Sequence, residues 1–377
     1  MKATKKQIKA ANFCLDHRMS FALWALPGVD DATFCCALSK GGVSEWPRLK
    51  PGQKASQDPW NGFFINYFAN EEEYIVGVKA QFDENNYPTR MNIAPEPDIE
   101  PTAKSTDKYA YLGLATQLID SLEDDSEKVV LSRLIALEGP KDVIGLALEY
   151  FRNHPNTFRY ICYTRETGIW FGASPEIVAL YNTESGQIVS QAIAGTRPAS
   201  VTGDWDKKNL KEHALVPLSI MTSLNELGGK VDEETLEMSE IRFGDIVHLC
   251  TNISSTLSNV PAQDVLTEIS PTAAIAGWPR HDAINRIFFF ETHSRHYYGG
   301  FVGVKIGPYV NAYANIRCAF VGNVIEPAEP SSPKKRLYNI YAGGGLINKS
   351  KPADEWMETE NKSRHLVDLV NNYEKVQ

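Results

Sequence analysis

A lysine heads the β-branched run "KVVLSR", in which a period of two puts Lys128, Val130 and Ser132 on one face and Val129, Leu131 and Arg133 on the other. At a strand end such a lysine is ordinarily solvated, whereas a desolvated one with a lowered pKa can act as a general base near neutral pH. In "FGASPEIVALY", Glu176 follows a strand end, where a turn residue is the ordinary reading; burial against apolar neighbours would raise its pKa and make it a proton donor. Glu212, in "NLKEHALV", shares a helix face with Leu215, Val216 and Ile220, a costly place for an unpaired carboxylate that a cation would relieve. Near the C-terminus, "ADEWMETENK" sets Glu355, Glu358 and Lys362 at i, i+3 and i+7. That spacing commonly makes a solvated pair, but two carboxylate-bearing helices aimed at one point would make an oxygen-rich Mg²⁺ site. Arg317 falls inside the apolar strand pattern "NAYANIRCAFV", and a buried guanidinium wants a bidentate acid such as a substrate carboxylate. "YAGGGL" offers consecutive glycine amides to an anion, without a P-loop or GxGxxG pattern.

The elements that must carry these residues alternate along the chain. Up to about residue 100, short strand-like runs ("FALWAL", "ATFCCAL", "GFFINYF") are separated by turns and end in the Pro-rich loop "NIAPEPDIEPTAKS". A helical pattern at 108–122, the strand "KVVLSRLIAL", a helix at 141–153 and strands around "FRYICYT" and "IWFGAS" follow. The helix of "DKKNLKEHALVPLSIMTSLNEL" carries two apolar faces, one of Leu210, Ala214, Leu218, Met221 and Leu224 and one of Leu215, Val216 and Ile220, which predicts burial on more than one side. The last third holds long strands ("YYGGFVGVKIG", "VNAYANIRCAFV", "RLYNIYAGGGLI") and a final helix from Pro352.

A formal charge of −9 and a pI near 5.5 argue against nucleic acid or an anionic membrane as partner, so anionic ligands must be bound by local charge. The six cysteines, at 14, 35, 36, 162, 250 and 318, lack metal or disulfide spacing, which suits reduced thiols in a cytoplasm. No segment approaches the ~20 apolar residues of a membrane span, and neither export nor insertion is expected.

In this order, "EKVVLSR", "FGASPE", "AIAGTRP", "KEHALV", "IRCAF", "YAGGGL" and "EWMETENK" resemble the chorismate-utilising enzymes, which include isochorismate, salicylate, anthranilate and aminodeoxychorismate synthases. The resemblance spans residues 108–375. It implies an α/β (α+β) fold in a single domain, 1–377: two packed antiparallel sheets, helices outside, and the site in a cleft between C-terminal strands and the last helix. Residues 1–105 would be a variable N-terminal part and 106–377 the motif-bearing catalytic part. Ammonia-using relatives typically carry glutamine at the position of Lys128, and the aminodeoxychorismate branch a nucleophilic lysine at that of Ala194, so the chain resembles the water-using members.

Residue by residue, the resemblance implies that Lys128 activates the water that attacks C2 of chorismate and that Glu176 protonates the departing 4-hydroxyl. Glu212 and Glu358 would ligate Mg²⁺, with Glu355 as a direct or water-mediated ligand. Gly195, Thr196 and Lys362 would approach the ring carboxylate, and Arg317 and Gly343 the enolpyruvyl carboxylate. Ser270 stands where relatives usually have the histidine of an "HPT" motif, expected on the ring-hydroxyl side of the pocket. The product would be isochorismate, for menaquinone or siderophore synthesis; a salicylate synthase and a non-catalytic chorismate-binding homologue are the alternatives. Relatives are monomers or loose homodimers.

Overall fold

In the strand Ser20–Ala25, Phe21, Leu23 and Ala25 face one way, Ala22 and Trp24 the other, and both sets are buried. Strands apolar on both faces belong to a layer covered on both sides, and that layer is what the computed structural model contains. It describes residues 1–38, 45–50, 52–69, 75–90, 93, 96–97, 99–123, 126–231, 236–243 and 246–373. Residues 92, 94, 95 and 98 of the expected Pro-rich loop lie outside them.

Two antiparallel sheets form the centre. From edge to edge the first runs β13 (Gly277–Trp278), β6 (Lys128–Pro140), β17 (Lys335–Leu346), β16 (Cys318–Ile325), β8 (Gly168–Ser174), β7 (Phe158–Thr164), β1 (Ser20–Ala25) and β2 (Thr33–Ala37). The second runs β11 (Met238–Phe243), β12 (Ile246–Thr256), β10 (Gln187–Pro198), β9 (Ile177–Asn182), β15 (Tyr309–Ala314), β14 (Phe301–Ile306), β4 (Gly62–Ile65), β5 (Ile75–Lys79) and β3 (Glu45–Trp46). Their inner faces share one core, where Trp24, Tyr160, Trp170 and Tyr341 of the first sheet meet Phe63, Ile65, Val302 and Tyr313 of the second. Helices α1 (Lys5–His17), α3 (Val143–Arg152) and α7 (Pro352–Asn372) cover the outer face of the first sheet. The other outer core gathers α2 (Lys108–Asp120), α4 (Lys207–Glu226), α5 (Ala262–Ile269) and α6 (Arg280–Phe290).

This is the α/β arrangement of two packed antiparallel sheets expected from sequence, with one change in α4. Leu210 and Leu218 are exposed, and the helix buries a single face carrying Glu212, Leu215, Val216, Ile220 and Leu224. Leucine is a strong helix former, so its presence on a helix does not by itself mark a buried face. No described helix is long and apolar enough to cross a membrane.

Of the places where the chain passes from one sheet to the other, two touch. Residues 175–176 link β8 to β9, and residues 315–317 link β15 back to β16. Ala314 N–H donates to the Glu176 carbonyl (3.0 Å), Ala173 N–H to the Arg317 carbonyl (3.2 Å), and Ser174 Oγ to the Ala314 carbonyl (2.5 Å). A further clamp holds β6: buried Arg295 donates to Glu291 (2.6 Å) and to the carbonyls of Val130 (2.6 Å) and Ile275 (3.0 Å), while Glu291 accepts from Ser132 N–H (2.6 Å). Replacing Arg295 by Met would leave Glu291 as a buried charge without its cation. The expected loss is about 3–5 kcal/mol in urea unfolding, and a loss under about 1 kcal/mol would show that the clamp carries no such weight.

Candidate active site

Lys128 opens β6 with 1% of its surface exposed, its Nζ 3.1 Å from Glu212 Oε1 on α4. Strand β17 runs alongside, and it passes this pair closely because its residues there are glycines. A Cβ on Gly345 would lie 2.4 Å from Glu212 Oε1 and 2.7 Å from Lys128 Cε; one on Gly343 would lie 3.0 Å from Tyr298 Oη. The amine that sequence reasoning expects to be uncharged is thus held against a carboxylate, and Lys128 and Glu212 line one cleft together with Glu176, Gly195, Thr196, Arg317, Gly343, Glu358 and Lys362.

The two crossovers place the acid and the arginine. Glu176, 4% exposed, has its pKa pushed up to about 7 by burial, against the opposing pull of Lys128, of a 3.4 Å hydrogen bond from Thr272 and of Lys362. Arg317 is not inside a strand: it precedes β16 in the left-handed region at φ 53°. An unbroken alternation of apolar residues around a turn looks like one strand in sequence, because nothing in "NIRC" marks a positive φ. Its carbonyl accepts from Tyr150 Oη (3.3 Å), and its Nη1 donates to the carbonyl of Lys362 (2.7 Å), which ties the guanidinium to α7. Gly195 is the unpaired residue of a bulge in β10 opposite β12, at φ 73°, a conformation glycine adopts without strain. The Thr196 amide expected to face substrate already donates to Asn209 Oδ1 (3.1 Å).

Each candidate metal-ligating glutamate has a lysine. Besides Lys128–Glu212, Lys362 Nζ is 2.6 Å from Glu358 Oε1 and Lys208 Nζ is 2.7 Å from Glu355 Oε1. Burial and then Glu358 push the Glu355 carboxyl up; Glu358, despite burial that would raise it, is held low by Lys362. Glu355 is buried but does not line the cleft, and its Oε2 has no hydrogen-bond partner among the described residues. Those residues show no cluster of three His, Cys, Asp or Glu side chains drawn together as around a bound ion. The donor chemistry nevertheless fits a hard divalent cation: carboxylate oxygens only, crowded by like charge, one of them buried and unused.

Residues that sequence reasoning missed complete the lining. His248 on β12 reaches Thr196 Oγ1 through Nδ1 (3.0 Å), and burial, with Arg317 and Lys362 nearby, pushes its pKa down to about 3, so the imidazole is neutral. Tyr298 and Tyr341 stack at 5.1 Å to form an aromatic wall. A lone histidine or tyrosine carries no signal of this kind in sequence. Ser270 does not line the cleft; from its segment, Thr272 touches Glu176 while Ala274 and Ile275 line the wall.

A cleft of buried lysine, glutamate and arginine at the junction of two packed antiparallel sheets has counterparts in known proteins. The family described as chorismate binding enzyme matches residues 63–371, and the chain belongs to that family. It is 30% identical over 261 residues to isochorismate synthase MenF of Pasteurella multocida, covering 66% of this chain and 58% of that protein. It is also 28% identical over 266 residues to anthranilate synthase component 1 of Pseudomonas aeruginosa, covering 66% and 50%. The match thus spans between half and three fifths of the length of these relatives. The solved structure of MenF, the menaquinone-specific isochorismate synthase from Escherichia coli, shares the fold with a TM-score of 0.70 at 20% identity, over 94% of this chain and 89% of that one.

The raised pKa of Glu176 has a stability consequence. A carboxyl at 4.5 when unfolded and about 7 when folded favours the fold fully below pH 4.5, and that contribution is lost as pH rises through 7. Glu176→Gln, which has no charge to bury, is therefore expected to be more stable than the parent at pH 8 by on the order of 2–3 kcal/mol, with the gap closing toward pH 4. Urea unfolding at both values checks this, and an equal gap at both would remove the assignment.

Proposed function

We propose that this chain converts chorismate to isochorismate by adding water at C2 with loss of the 4-hydroxyl. The observation that carries the reading is the burial of an amine at 128 and a carboxyl at 176 in one cleft that Arg317 and Lys362 also line. The names of the MenF relatives support it, as does alanine at 194, which provides no nucleophile in the cleft. Lys128 takes a proton from water as its oxygen bonds to C2; the ring double bonds shift, the C4–O bond breaks, and Glu176 gives its proton to the departing hydroxyl, which leaves as water. Arg317 would hold the enolpyruvyl carboxylate beside the Gly343 backbone, and Lys362 with the Gly195–Thr196 bulge the ring carboxylate. Glu212 and Glu358, with Glu355 nearby, would hold Mg²⁺, which when bound would supply positive charge to the ring carboxylate. We place the enzyme in the cytoplasm, among the isomerases, with its product entering menaquinone or siderophore synthesis.

The deciding experiment incubates the purified protein with chorismate and Mg²⁺ and resolves the products by chromatography. Isochorismate is expected; salicylate fluorescence without an added lyase would move the chain to the salicylate synthases, and bound but unchanged chorismate would overturn the catalytic reading. Lys128→Met should lower kcat by about 10²–10⁴-fold with the fold intact, and near-normal turnover would remove the base. Since Glu176 must hold its proton, turnover is expected to fall as pH rises past about 7, and a profile level from pH 6 to 9 would exclude it as the acid.

A further inference from the structure

We propose that Lys208 is a tethered cation that competes with a divalent ion for the Glu355 carboxylate and so sets the metal affinity of the free protein. This rests on the reading of Glu212, Glu355 and Glu358 as the cation-binding group. Lys208 sits in the first turn of α4, fixed by the cap in which Asp206 accepts from Asn209 N–H (2.9 Å), and it reaches across to α7. The contact is asymmetric: the Lys208 side chain is 31% exposed and that of Glu355 only 2%, so the ammonium stands on the solvent side of the carboxylate. Glu212 and Glu358 also act on Lys208, and together with Glu355 they hold its ammonium firmly charged despite burial.

Lys128 and Lys362 face the cleft, where a dianionic substrate would give them other partners, whereas Lys208 does not line it. Its carboxylate neighbours therefore define what it can do. With no divalent ion bound, the pair spares Glu355 an uncompensated charge in the interior. An ion recruiting Glu355 must first separate it from Lys208, and by linkage the ion and the ammonium each weaken the other's hold on the carboxylate. The carboxylates alone would bind the ion more tightly than the carboxylates with their lysine.

The test uses the full chain without chorismate and Mn²⁺ as a spectroscopic stand-in for Mg²⁺, with binding followed by calorimetry and electron paramagnetic resonance at pH 8. Lys208→Met, which keeps an apolar stem of similar length, should bind Mn²⁺ at least about fivefold more tightly than the parent. Lys208→Arg should match the parent, and the gain should vanish when Glu355→Gln is combined with Lys208→Met. Lys208→Ala is measured in parallel, so that a folding failure of the Met variant leaves a second reading. Unchanged or weaker binding in a folded Lys208→Met or Lys208→Ala, with the parent still binding, overturns the competition alone. No Mn²⁺ or Mg²⁺ uptake by parent or variants at millimolar concentration overturns the metal reading and this inference with it.

Discussion

The site depends on a constraint of topology: of the places where the chain passes from one sheet to the other, two lie against each other. The segments at 175–176 and 315–317 hold each other through backbone hydrogen bonds from Ala314 to Glu176 and from Ala173 to Arg317. A carboxyl and a guanidinium are thereby fixed at the seam of two sheets, where backbone does not continue into either ladder. Burial there raises the Glu176 pKa, and the seam opens into the cleft that the strand pair β6 and β17 lines with Lys128 and glycines. Rigid strands set the distances, and the two short connections supply Glu176 and Arg317.

Charge follows the same economy of space. A protein of net charge −9 has gathered three glutamates and three lysines where α4, α7 and β6 meet, each acid within 3.1 Å of its own ammonium. Isolated charges at such depth would be strongly unfavourable, and pairing makes them tolerable. A dianion or a cation entering this group exchanges partners with it; no bare charge has to be created first.

Much of this was legible in the sequence, and the failures have physical reasons. Lys128, Glu176, Glu212, Glu358 and Lys362 came from ordered motifs, and all of them line the cleft. Lys208 is one of three lysines in "DKKNLKEH", and only the approach of α7 distinguishes it from its solvated neighbours. Helix α1 buries only Gln7, Ala10, Ala11 and Cys14, too thin an apolar stripe for hydrophobic periodicity; its Thr4–Gln7 capping box was the available signal. Helix α6 misleads differently, since it buries Ala283 and Ile287 and leaves Phe288 and Phe289 exposed.

The strands before residue 80 lie far along both ladders from Lys128: β1 and β2 extend the first sheet beyond β7, and β4, β5 and β3 extend the second beyond β14. Their side chains, among them Trp24, Phe63 and Ile65, form part of the shared interior. Cutting the molecule ahead of α2 would therefore strip hydrogen-bonding partners from two edges at once and wet the middle of the sandwich. The strands before residue 80 stand apart from the cleft and still complete the interior that its two sheets share.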